Sequence, residues 1–178
     1  MDYTRNFKGF SVRNLELGPV KKTPSYQGEL RRAGDNRLVC RFSQAGDGDP
    51  TSVDWAPGTE DDRKVLARLG IETANEKSHA DDGEIFSWAV VEASPVLLER
   101  FSEYGIEVVC DDHRFDMQCR ENADSVIYAR TDQDNVVQVP GIYRPSERRL
   151  WREKINRHLG DREDVLEIIN DRYVKSSQ

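Results

Sequence analysis

From Phe10 the chain alternates apolar and polar positions, through Phe10 and Val12 and then, after a break, Leu15 and Leu17. A period of two predicts a strand over residues 8–17 with a bulge at the break. Gly18, Pro19 and Pro24 interrupt it. Two more strands are expected in YQGELRR (26–32) and RLVCRFSQ (37–44). They are joined by AGDN, whose Gly, Asp and Asn accept the positive φ angles and side-chain bonds of a tight turn. TSVDWA (51–56) reads as a fourth strand with Val53 and Trp55 on one side, so the first 56 residues predict an antiparallel β meander with one apolar face to cover.

The cover is expected to be helical. Thr59 is placed as an N-cap, Glu60, Asp61 and Asp62 oppose the helix dipole in the first turn, and Val65, Leu66 and Leu69 precede a stop at Gly70. Residues 72–83, ETANEKSHADDG, are polar and without period, which predicts a surface loop and a linker if the chain has two parts, 1–71 and 84–178. EIFSWAVVEA (84–93) is an apolar run that periodicity assigns neither to strand nor to helix. Ser94-Pro95 opens a helix carrying Leu97, Phe101 and Tyr104 up to Gly105, followed by IEVVC as strand or helix. Segments 124–131 and 135–139, joined by DQDN, predict a second hairpin. Pro145-Ser146 starts a helix with Trp151, Ile155 and Leu159 on one stripe, closed by Gly160. Asp161 then caps a last helix, REDVLEIINDRY, with Val165, Ile168, Ile169 and Tyr173 as its stripe, and the tail VKSSQ reads as disordered. The fold class is α+β: a meander covered by a helix, central helices, a second β hairpin and two C-terminal helices, packed as one unit or two.

Charge changes the picture because it is segmented. Of the net −7, residues 1–46 contribute +5, residues 47–143 contribute −14 and residues 144–178 contribute +2. The acidic middle opposes general nucleic-acid binding, while either end tolerates phosphate contact. Asp47, Asp49, Glu60, Asp61, Asp62, Asp81 and Asp82 offer an acidic face. Three cysteines and no apolar run of membrane-spanning length are expected of a soluble cytoplasmic protein with reduced thiols.

The densest chemical cluster is CDDHRFDMQC, with Cys110, His113 and Cys119 as metal-ligand candidates. It lacks a second paired knuckle, and the missing ligand falls to an isolated His79 or His158. Asp111, Asp112, Asp116 and Glu121 are the carboxylates nearest to a metal-dependent nuclease set, without an acid-x-Lys pair. No phosphate-cradling loop precedes a Lys-Ser/Thr, and AGDGDP carries two acids but no EF-hand spacing. The other cluster is basic. Arg144, Arg148, Arg149, Arg152, Lys154 and Arg157 lie on and just before one helix with Tyr143 at its mouth, opposed by Glu147 and Glu153 alone. Arginines beside an aromatic residue are the composition of interface hot spots, and long basic side chains also serve to cover an apolar rim.

FKGFSVRNL, SQAGDGDPTSVDW, CRENADSVIYAR and PGIYRPSERRLWREKINRHLGDREDVLEIINDRY together resemble small uncharacterised proteins carried by bacteriophages, prophages and plasmids. The resemblance implies a helical 84–93 and an accessory role in a mobile element, such as interference with a host defence or regulatory protein. It carries over no catalytic residues. With no complete catalytic set and no cofactor signature, the expected function is non-enzymatic binding of a protein partner through Tyr143, Arg144, Arg148, Arg149, Arg152 and Arg157, with Asp61 and Asp62 as acidic contacts. The alternatives are nucleic-acid binding by the basic 144–157 helix and a metal-dependent enzyme centred on 110–121.

Overall fold

A computed structural model describes residues 9–18, 25–46, 50–80, 85–133 and 135–173. Pro19, Pro24, Asp47, Asp49, Asp81, Asp82, Asp134 and the tail VKSSQ lie outside the described residues, as do the side chains of His79 and Asp161. The architecture is α+β and divides into two units, 1–113 and 114–178, the division falling inside a helix.

In the first unit, β1 (Phe10–Leu17), β2 (Tyr26–Arg32), β3 (Leu38–Gln44) and β4 (Ser52–Trp55) form the antiparallel meander in chain order. The break in the β1 alternation is a bulge. Arg13 faces Glu29 and Glu16 faces Gln27, so one residue is extra, and Asn14 beside it takes φ 52°. The β2–β3 turn holds Asn36 at φ 57°, with the Asp35 carboxylate accepting the Arg37 N–H at 3.1 Å. Inward side chains Phe10, Val12, Tyr26, Leu30, Cys40 and Phe42 are buried against Leu66, Leu69, Ile106, Val109 and Cys110, with Val53 and Trp55 packed beside them.

The helices that supply this cover depart from the sequence expectation at their glycines. α1 runs Glu60–Ala80, through Gly70, and α3 runs Pro95–Glu121, through Gly105; between them lies α2 (Trp88–Ala93). Gly70 and Gly105 are not stops but the point where two backbones touch. A Cβ on Gly70 would lie 2.3 Å from the Phe101 carbonyl oxygen, and one on Gly105 would lie 2.1 Å from that of Leu66. Glycine is unfavourable inside a helix by ~1 kcal/mol against alanine, a cost accepted here for close approach. Residues 72–80, expected as loop, are therefore helix. Their polar face meets water, while Ala74 packs on Ile71, Val91 and Phe101. The Asn75 amide fastens the returning chain by donating to the Phe86 carbonyl and accepting the Phe86 N–H, both at 2.8 Å. Among the described residues 85–93 there is α2 and no strand, and IEVVC is helical.

In the second unit, β5 (Val126–Thr131) sits between β6 (Val136–Pro140) and β7 (Val165–Ile168), all antiparallel. A short 3-10 turn, Pro145–Glu147, leads into α4 (Arg148–Leu159), and Gly160 closes it at φ 70°. The expected last helix is instead β7 followed by a 3-10 turn, Ile169–Arg172. The cause is a second bulge. Arg130 faces Glu167 but Thr131 faces Val165, which leaves Leu166 extra and exposed. Val165 and Ile168, three apart, thus reach the same core, and their spacing imitates a helical stripe.

Candidate interaction surface on the basic helix

α4 is seated by its apolar stripe. Ile155, Trp151 and Leu159 pack with Ile127, Ala129, Val165 and Ile168 on one face of the β5–β7 sheet. Gly141 makes room for the indole, since a Cβ there would fall 2.6 Å from the Trp151 ring. Asn156 accepts the Val165 N–H at 2.8 Å and fixes the helix to β7. At the entry, Tyr143 is buried and its hydroxyl donates to Asp171. Burial, together with that carboxylate, pushes the phenol well above its ordinary range. Asp171 also holds Arg148 at 2.8 Å, so one acid from the C-terminal turn anchors both Tyr143 ahead of the helix and the helix's first residue.

With the apolar stripe used up, the cations are left to solvent. Arg144, Arg149, Arg152, Lys154 and Arg157 are exposed. Arg149 pairs along the helix with Glu153 at 2.9 Å, and the Lys154 ammonium lies 4.5 Å from the centre of the Trp151 ring. Among the described residues, Arg144, Arg152 and Arg157 make no hydrogen bond or ion pair. At 100° per residue, positions 149, 150, 153, 154 and 157 spread over the outward arc of α4, with 152 flanking it. Leu150, half exposed at 50%, sits in that arc. Free guanidinium forks around an apolar side chain are suited to carboxylates or phosphates presented beside a small apolar contact.

The structure separates the residues that the sequence grouped as partner contacts. Tyr143 is an internal seat, not a surface anchor, and Arg148 is half engaged by Asp171. Asp61 is exposed on α1 in the first unit. Its neighbour Asp62 is buried and takes the Arg32 fork on both oxygens, at 3.0 and 2.7 Å, clamping β2 to α1. Sequence reasoning missed Asp171 and the Lys154–Trp151 stack. The i to i+3 spacing of Trp151 and Lys154 was a signal for the stack; nothing local marked Asp171, which acts across 28 residues of chain.

The thiols are used for packing. Cys110 belongs to the first unit's core, Cys119 packs with Tyr128 and Ile169 in the second, and all three cysteines are buried. Desolvation pushes the Cys40 thiol up to about 12. His113 is half buried, and Asp111 and Asp112 are exposed. Asp116 is buried, accepting the Tyr173 hydroxyl and lying 3.3 Å from Arg120. Among the described residues, no three His, Cys, Asp or Glu side chains are gathered as a metal ion would require. No described helix is long and apolar enough to cross a membrane. No family model, no curated protein and no solved structure matches the chain.

Proposed function

We propose that the protein acts by binding another protein through the outer face of α4, as a non-enzymatic accessory factor of a phage or other mobile element. The observation that carries this reading is the set Arg144, Arg152 and Arg157, exposed and unpaired among the described residues, the last two on a helix whose apolar stripe is already buried and Arg144 just ahead of it. Arginines that contribute nothing to the fold's own ion pairs are available to a partner, and the fitting partner surface is acidic. The mobile-element role, in the form of interference with a host protein, rests on the sequence resemblance.

A protein partner is favoured over nucleic acid on two grounds. Single-stranded nucleic acid is held by exposed aromatic platforms, and the aromatic residues here, Tyr143 and Trp151, are buried and half buried in the sheet's core. The chain's net charge of −7 also repels a polyanion at long range. The test is a variant carrying Arg149→Glu, Arg152→Glu and Arg157→Glu. Partner proteins captured from bacterial lysate by the native chain are expected to be lost from the variant, while neither form binds DNA or RNA oligonucleotides at physiological salt. Capture unchanged by the three reversals overturns the surface. Oligonucleotide binding that falls steeply with salt and vanishes in the variant replaces the protein partner with nucleic acid.

A further inference from the structure

The first unit contains a cleft of about 360 Å³. This volume is at the small end of the range for ligand sites, ~300–1,000 Å³. Its apolar side is made by Phe86 and Phe101, whose rings meet edge to face at 4.9 Å. Its other side is one face of α3, where Arg100, Glu103, Tyr104 and Glu107 recur at helical spacing. Three of these four differ in what they already bind. Glu107 accepts the hydroxyl of buried Thr51 at 2.7 Å, and Tyr104 accepts from Lys77 at 2.7 Å. Glu103 makes no hydrogen bond or ion pair among the described residues.

That leaves one carboxylate half buried, one helical turn from a second carboxylate, beside two phenyl rings. Desolvation and the charge of Glu107 both act against its ionised form, and Arg63 only partly offsets them. Arg100 is also without a partner among the described residues, but it is exposed and water satisfies it at no cost. The two free charges of the cleft are therefore unequal. An anionic ligand pairing with Arg100 displaces good solvation, whereas a cationic ligand at Glu103 relieves a penalty the fold already carries. We propose that this cleft binds a small aromatic amine in its protonated form, with the ring against Phe86 and Phe101 and the ammonium on Glu103. The aromatic body supplies the apolar burial, and the net −7 of the chain favours approach of a cation.

Calorimetric titration of the full chain at neutral pH tests this with three probes sharing one ring: phenethylammonium, phenethyl alcohol and phenylacetate. Phenethylammonium is expected to bind with Kd of about 1 mM or tighter, and the alcohol and the anion at least about tenfold more weakly. Glu103→Gln keeps the shape of the side chain, removes its charge and should weaken the ammonium by about tenfold or more without affecting the alcohol. Arg157→Glu, in the other unit, should change none of these values, so failure of the arginine surface and failure of the cleft are read separately. Phenylacetate binding as tightly as the ammonium, Glu103→Gln leaving the ammonium unchanged, or no saturable binding by any probe to about 10 mM overturns the proposal.

Discussion

In the four-stranded sheet, Phe10, Val12, Tyr26, Leu30 and Phe42 go beneath the helices. Outside, the Glu29 carboxylate lies 2.8 Å from Arg31 and 3.4 Å from Arg41, so charge is neutralised on the sheet surface itself. In the three-stranded sheet, Ile127 and Ala129 meet α4, and Tyr128 between them meets Phe115 and Cys119. β5 is thus buried on both sides, while the edge strand β6 leaves Val136, Gln138 and Pro140 exposed, and α4 carries the exposed cations Arg149, Arg152, Lys154 and Arg157. The first unit thus spends ionic groups on its own joints, Arg32 with Asp62 and Lys64 with Glu92 at 3.1 Å, whereas the second holds several in reserve. An interaction surface is found where internal pairing stops.

The comparison is broken most severely at Asn170, a fully buried polar residue that ties β5 to the C-terminal turn. Its amide accepts the Tyr128 N–H at 2.7 Å and donates to the carbonyls of Val126 at 2.8 Å and Ala123 at 3.3 Å. Asn170→Ala strands buried backbone groups on β5, at about 1–3 kcal/mol each, so a loss of about 4 kcal/mol is expected. Urea denaturation measures it, and hydrogen exchange should localise it to 126–131. A loss under about 1 kcal/mol means that this amide does not hold β5 to the C-terminal turn.

The corresponding break in the first unit is Gly105→Ala. Helix propensity alone promises a gain of about 1 kcal/mol. The contact geometry demands the reverse, because the new methyl would lie 2.1 Å from the Leu66 carbonyl oxygen. Overpacking of this kind costs about 1–3 kcal/mol, and a net loss of about 2 kcal/mol is expected in denaturant unfolding. A stabilised variant would mean that α1 and α3 do not cross at these glycines.

The same contrast explains what the sequence made legible. The one-faced sheet alternates, so β1 to β4, the Asn14 bulge and the AGDN turn were all readable from period and turn chemistry. The helix starts at Thr59 and Pro95 were readable from their caps, but the ends were not. A glycine that stops a helix and a glycine that lets another backbone touch it look identical in one chain, and α1 and α3 run on past Gly70 and Gly105. In the three-stranded sheet the β5–β6 hairpin was readable as well, but the Leu166 bulge turned the third strand into an apparent helix. For the candidate surface, the arginine cluster was visible as composition, but its freedom was not, since pairing with Asp171 or Glu153 depends on where distant or neighbouring acids land. The cleft left no local mark, because Phe86 and Phe101 come together only when α3 returns along α1.

A smaller effect sharpens the comparison by acidity. Burial and the charge of Glu107 raise the Glu103 carboxyl above its ordinary value of 4.5, so the folded chain binds more protons than the unfolded one just above that value. Stability owing to this group therefore falls as pH rises through the window, and it is at its full penalty at neutral pH. Glu29 has the opposite sign. The Arg31 hydrogen bond holds its carboxyl low, and its contribution is lost as pH falls through the lowered value. Glu103→Gln should be more stable than the native chain at pH 7, with the gain gone by about pH 4, where the native carboxyl is protonated in both states. Denaturation midpoints at the two pH values measure this, and a gain that persists in acid would mean that the charge at 103 is not what the substitution relieved.

The smallest expected effect on the fold belongs to the largest expected effect on binding. Arg152 and Arg157 pair with nothing among the described residues, and Arg149, 92% exposed, pairs only along its own helix. Reversal of Arg152 and Arg157 should each stay within about 0.5 kcal/mol. Arg149→Glu replaces an attractive i,i+4 pair with a repulsive one, for a further loss of about 0.5 kcal/mol. The triple variant should thus melt within a few degrees of the native chain, measured by circular dichroism, while losing its partner. Were these arginines instead covering the apolar rim of α4, the same three changes would expose Trp151 and Ile155 and lower the melting temperature well beyond that range. The melting curve and the binding assay on one protein sample therefore decide whether the second unit's unpaired charge serves the helix or a partner.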